Sequence, residues 1–134
     1  DIIKVSDEDL DWLTPGPEPV MAKLRALRAD RPAVMILTRG KDGATALLLD
    51  GTEVSVKAPK AVVIDTVGAG DTFNAGVLAR LHHLTHLTKP AIANLAATAM
   101  TEALTSGAKV AAVTVARAGA NPPWRAELEA GKHR

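Results

Sequence analysis

Cysteine and tyrosine are both absent from these 134 residues. Without thiols there is no disulfide framework and no thiolate metal site. Aromatic residues total 2%, too few for the stacking platforms that hold single-stranded nucleic acid. An excess of charge of either sign is lacking as well, since 16 Lys plus Arg face 15 Asp plus Glu for a net charge of +1. That balance offers no long-range attraction to nucleic acid or to an anionic membrane. No apolar run is long enough to cross a bilayer, and the opening residues do not resemble a signal peptide, so the expected location is cytoplasmic. What is present is ordinary globular composition, 47% apolar and 23% charged, in a chain long enough for one modest domain with a real core.

The chain begins with Asp1-Ile2-Ile3-Lys4-Val5, which reads as a strand already under way and without an initiating Met, as in a portion of a longer protein. Ser6 is placed to cap a short helix, Asp7 to Leu13, with Asp9 at its third position. After the Thr14-Pro15-Gly16-Pro17 break, Val20, Leu24 and Leu27 form one face of a second helix that ends near Asp30. Ala33-Val34-Met35-Ile36-Leu37-Thr38 is almost continuously apolar, as a strand covered on both faces would be. Strand, helix, helix, strand is the grammar of a parallel α/β sheet. The Asp50-Gly51 turn signal between residues 44–49 and 52–57 adds an antiparallel hairpin.

The stretch from Ile64 to Gly76 concentrates the chemistry. Ala61-Val62-Val63-Ile64 has the β-branched character of a short strand, while Phe73, Val77, Leu81 and Leu84 recur at helical spacing. Gly68, Ala69 and Gly70 between them allow a tight bend that turns amides toward one point. The helix mouth adds unpaired N–H groups and the positive end of its dipole. This is a site for phosphate or a developing phosphoryl charge. Asp71 would repel a bound phosphate unless it takes a proton from an incoming nucleophile, so the pairing reads as phosphoryl transfer to a hydroxyl. A plain helix cap at Asp71 and plain turn glycines are the competing reading. A dinucleotide loop fits worse, because Phe73 stands where the third glycine would be.

Gly40 and Gly43 either serve tight turns or let the backbone approach a nucleotide phosphate. His82 and His86 lie one helical turn apart but without an adjacent carboxylate, and read as solvated helix-end residues. Pro90 opens another helix, Gly107 is expected to interrupt it, and Ala108 to Ala116 continues as helix or strand. Small residues there suit core packing, or the wall of a flat ring. Arg117 to Trp124 reads as a loop, and Arg125 to Ala130 as a brief polar helix.

In this order, the pieces resemble the C-terminal half of a ribokinase-like sugar kinase of the phosphofructokinase B type, nearest its fructokinase branch. Asp65-Thr66-Val67-Gly68-Ala69-Gly70-Asp71-Thr72-Phe73-Asn74-Ala75-Gly76 is similar to the family's second signature. Lys4-Val5-Ser6-x-x-Asp9, Thr38-x-Gly40-x-x-Gly43 and Arg117-x-Gly119-Ala120-Asn121-Pro122-Pro123 match further elements in the family's order. The resemblance implies an α/β fold in three layers with a mostly parallel sheet, of which this is the C-terminal portion. It implies ATP-dependent phosphorylation of a sugar hydroxyl, with Asp71 as general base and Gly68, Ala69 and Gly70 as anion hole. Thr38, Gly40 and Gly43 would contact the nucleotide phosphates. Ser6 and Asp9 stand where the family often carries Asn and Glu to place phosphate and Mg²⁺-bound water; both keep oxygen ligands with shorter reach. Asp65, Val67, Thr114, Arg117 and Gly119 match a monovalent-cation site, K⁺ among the candidates. The substrate is expected to be a hexose such as fructose, with a ketodeoxy sugar acid, ribose or a nucleoside as alternatives within the superfamily. A non-catalytic nucleotide-binding remnant is the alternative outside it. The sugar site and its lid belong to an N-terminal half not present here, so the expected association is a homodimer or pairing with that half, and the chain alone is expected to turn over little sugar.

Overall fold

The computed structural model describes residues 1–119 and 121–130, which hold four strands and six α-helices. Ala120, part of the Arg117–Pro123 element, lies outside the described residues. Strand β1 (Ile2–Ser6) is followed by α1 (Asp7–Leu13) and α2 (Val20–Arg28), then by β2 (Val34–Thr38). A single 3₁₀ turn, Gly40–Asp42, leads into β3 (Ala44–Leu47) and β4 (Glu53–Val56). The rest is helical: α3 (Ala69–His83), α4 (Lys89–Ala93), α5 (Ala97–Val115) and α6 (Arg125–Ala130).

The sheet runs β1-β2-β3-β4. It is mixed: β1 and β2 are parallel, with Ile2 opposite Val34 and Ser6 opposite Thr38, whereas β2–β3 and β3–β4 are antiparallel. The expected parallel character is therefore confined to the β1–β2 pair, and the hairpin supplies the rest. The turn closes through the Gly51 amide to the Leu48 carbonyl at 3.0 Å.

Three layers result. On one face Val5, Met35, Leu37 and Leu47 pack with Leu10 of α1 and Leu24 of α2. On the other, Val34, Ile36, Ala44 and Ala46 pack with Phe73, Val77 and Leu81 of α3 and with Met100 and Leu104 of α5. Strand β2 feeds both cores, which explains its unbroken apolar run. Each such fully buried Leu or Met contributes roughly 1.5–3 kcal/mol of burial. Helix α1 begins as its sequence indicates: Ser6 Oγ accepts the Asp9 amide and an Asp9 carboxylate oxygen accepts the Ser6 amide, both at 3.0 Å.

Two expectations are corrected. Residues 61–64 form no strand; Val62 is 78% exposed, and this segment is tied down instead by the Ile64 and Asp65 amides donating to the Val115 carbonyl. β-Branched residues favour a strand only where they pair with one, and in the β1-β2-β3-β4 sheet residues 61–64 pair with neither edge strand. Gly107 does not interrupt a helix, because α5 runs straight through it. A Cβ on Gly107 would stand 2.7 Å from Val77 Cγ2 and one on Gly76 would stand 2.9 Å from Gly107 Cα. The two glycines let α3 and α5 cross at close range. The helix that Pro90 opens breaks instead at residues 94–96, between α4 and α5.

Candidate active site

Helix α3 is preceded by Gly68 at its N-cap, whose φ of 80° is a left-handed conformation that glycine adopts without strain. Before it, Asp65 folds the loop over its own carboxylate. One oxygen accepts the Val67 amide and the other the Gly119 amide, both at 2.9 Å. These two bonds hold the Asp65 carboxyl below the ordinary carboxylate range, the Val67 amide contributing most. The result is a clamp that joins the loop before α3 to the turn after α5. Asp65, Val67, Thr114, Arg117 and Gly119 are thereby brought to one place, although the Thr114 carbonyl already accepts the Arg117 amide at 3.1 Å and the Gly119 carbonyl the Asn121 amide at 3.0 Å.

The first helical bond of α3 runs from the Thr72 amide to the Gly68 carbonyl, 3.0 Å. The Ala69 amide turns back to the Thr66 carbonyl at 3.3 Å, so of the three expected anion-hole amides it is the one already engaged. The amides of Gly70 and Asp71 find no acceptor among the described residues, as the geometry of a helix start requires. Asp71 is exposed at the third helical position.

In front of this helix mouth lies a cleft of ≈ 660 Å³. Ala69 and Gly70 line it together with Thr38, Gly40 and Gly43. Gly43 is needed there on two counts: its φ is 95°, and a Cβ would collide with the Val56 carbonyl of β4. Gly40 meets nothing within 4 Å, so its φ of 55° shapes the turn while leaving its surface open to the cleft. Ser6 lies in register with Thr38, which places the α1 capping box one strand away from the cleft wall. Asp9 is held ionised chiefly by its bond from the Ser6 amide, and its second carboxylate oxygen is uncommitted among the described residues.

Helix α5 contributes to the cleft as well. Ala108, Ala111, Ala112 and Val115 line the cleft at the i, i+3, i+4, i+7 spacing of one helical face. The same face meets the core, where Ala108 is buried and Ala111 packs against it, so the core-packing reading holds for these residues and their small side chains also leave the cleft a flat side. Lys41 and Lys60 also line the cleft and no carboxylate does. Sequence reasoning did not single out these lysines, since isolated surface cations carry no pattern. His82 is exposed in the last turn of α3, but the helix ends at His83, so the half-buried His86 is not one helical turn along from it, and neither lines this cleft.

Residues 1–127 match the model of the pfkB family carbohydrate kinases. The chain belongs to that family. Among curated relatives, fructokinase of Rhizobium leguminosarum bv. trifolii is 43% identical over 96 residues, 71% of this chain and 28% of that protein. Fructokinase of Klebsiella pneumoniae is 38% identical over 82 residues, 60% of this chain and 26% of that protein. Among solved structures, fructokinase from Vibrio cholerae O395 in a fructose-, ADP- and calcium-bound form superposes with a TM-score of 0.76 at 27% identity, covering 97% of this chain and 40% of that one. Ribokinase from Giardia lamblia gives a TM-score of 0.82 at 21% identity over 99% of this chain and 43% of that one, which shows the shared ribokinase-like fold. The aligned region thus spans about a quarter of these curated relatives and about two fifths of the solved chains.

Proposed function

We propose that this chain is the nucleotide-binding and catalytic-base half of an ATP-dependent sugar kinase, with a hexose such as fructose as acceptor. The observation that carries the reading is the cleft that ends on Gly70, where two amides are without acceptors and the exposed Asp71 carboxylate stands one residue on. The flat Ala/Val wall of α5 suits a purine ring, and the absence of carboxylates from the cleft lining suits polyphosphate. Asp71 accepts the proton of the sugar hydroxyl as that oxygen attacks the γ-phosphorus, and the bond to the β-phosphate oxygen breaks. The amides at the start of α3 hold the charge that builds on the transferred oxygens, a preorganised array with little reorganisation to do. The fructokinase relatives support a hexose acceptor.

Mg²⁺ fits the free oxygen of Asp9, directly or through water, since oxygen donors are what it prefers; when bound it neutralises phosphate charge. The Asp65 carboxylate and the nearby carbonyls are oxygen donors of the kind a monovalent cation requires, but both Asp65 carboxylate oxygens already accept amides. Ligation there relies on second lone pairs and on the carbonyls of Val67, Thr114, Arg117 and Gly119.

The test is complementation. The N-terminal part of a pfkB-family fructokinase is added to this chain and sugar phosphorylation is followed. Activity that appears on mixing and disappears with Asp71→Asn supports the reading. Sustained turnover by the 134-residue chain alone, or activity indifferent to Asp71→Asn, refutes the half-enzyme or the base assignment respectively.

A further inference from the structure

Side chains alternate across β1, and Ile3 and Val5 turn toward α1 and α2. Lys4 therefore turns to the face that carries α3 and α5, where its strand neighbour Ile36 is a core residue. From there it reaches the first turn of α3: Lys4 Nζ lies 3.2 Å from where a Cβ on Gly70 would be. Among the described residues Lys4 forms no ion pair.

That placement sets an ammonium against the positive end of a helix, which is electrostatically unfavourable by itself. Asp71 in the same turn and Asp9 on α1 offset part of the repulsion, yet neither closes onto the ammonium. An anion seated at the Gly70 and Asp71 amides reverses the sign, because ammonium and amides then share one negative group. Lysine suits this task as a point charge on a flexible stem.

We propose that Lys4 is a phosphate-holding residue of the cleft, its ammonium binding the terminal phosphoryl oxygens of a nucleoside triphosphate from the β1 side while the Gly70 and Asp71 amides bind from the helix side. The proposal rests on the phosphoryl-transfer reading above and adds to it a cation supplied by the sheet edge. A merely structural Lys4 would cover apolar surface with its stem and be indifferent to phosphate.

The experiment is an NMR titration of the ¹⁵N-labelled chain with ATP and, separately, with adenosine, read at the Gly70 and Asp71 amides. Wild type, Lys4→Met and Lys4→Arg are compared. Lys4→Met is expected to weaken ATP binding about tenfold, the scale of a charge-assisted contact in a partly exposed site, and to leave adenosine binding unchanged. Lys4→Arg, which keeps the charge, is expected to retain most of the ATP affinity. Equal ATP binding by wild type and Lys4→Met overturns the role of Lys4 and leaves the cleft reading standing. Parallel loss of ATP and adenosine in Lys4→Met marks a structural role and overturns it as well. A wild-type chain that binds neither ligand removes the cleft reading and this proposal together.

Discussion

Asp71 and Asp65 are six residues apart and do opposite work. Asp65 spends both oxygens on amides and is a structural clamp, whereas Asp71 is exposed in the first turn of α3, one residue beyond the Gly70 that lines the cleft. Replacing Asp71 with Asn should lower the complemented kinase rate by about 10²–10⁴, the range of a positioned general base, with little change in thermal stability. For Asp65 the consequence is a pH effect. Its folded carboxyl sits below its unfolded value, so it contributes stability above the unfolded pKa of roughly 3.9, and that contribution is lost as pH falls through the folded value. Hydrogen exchange at the Val67 and Gly119 amides should accelerate in that acid window. Asp65→Asn should abolish the pH dependence there; an unchanged profile would mean the clamp does not hold in solution.

Among the elements, the α3–α5 crossing is the contact on which the cleft wall depends. Alanine at Gly107 would improve helix propensity by up to about 1 kcal/mol. Its Cβ, however, would press on Val77 Cγ2 at 2.7 Å and on the Phe73 carbonyl at 2.9 Å. Overpacking of that kind costs about 1–3 kcal/mol, so Gly107→Ala should be net destabilising and lower the urea midpoint. A raised midpoint would show that the helices can move apart freely. The capping box of α1 was legible because it is local, spanning Ser6 to Asp9. Gly107 misled for the complementary reason: one glycine in a helical pattern reads as a break until its partner Gly76, 31 residues earlier, is seen across from it.

For the molecule as a whole, β1 is an edge strand with one side unpaired among the described residues. Open edges recruit other strands, so sedimentation velocity should show association that rises with concentration and that the N-terminal part of a fructokinase relative suppresses. A concentration-independent monomer would show that the edge is self-protected. The mixed sheet has the same origin: the parallel part of the architecture is represented by the β1–β2 pair, while the 44–57 hairpin is complete within this stretch.

Local chemistry was determined along the chain: the cap at Ser6, the buried strand at 34–38, the turn at Asp50-Gly51, and the loop of small residues before α3. Each depends on conformational preferences and alternation within a few residues, which the order of side chains carries by itself. Tertiary structure decided whether 61–64 would find a strand partner, that Gly107 would serve a crossing, that Ala108 to Val115 would wall a cleft, and that Lys4 would stand beside Gly70. Those outcomes depend on which surfaces meet across tens of residues, and packing, unlike propensity, is settled only when both partners are in place.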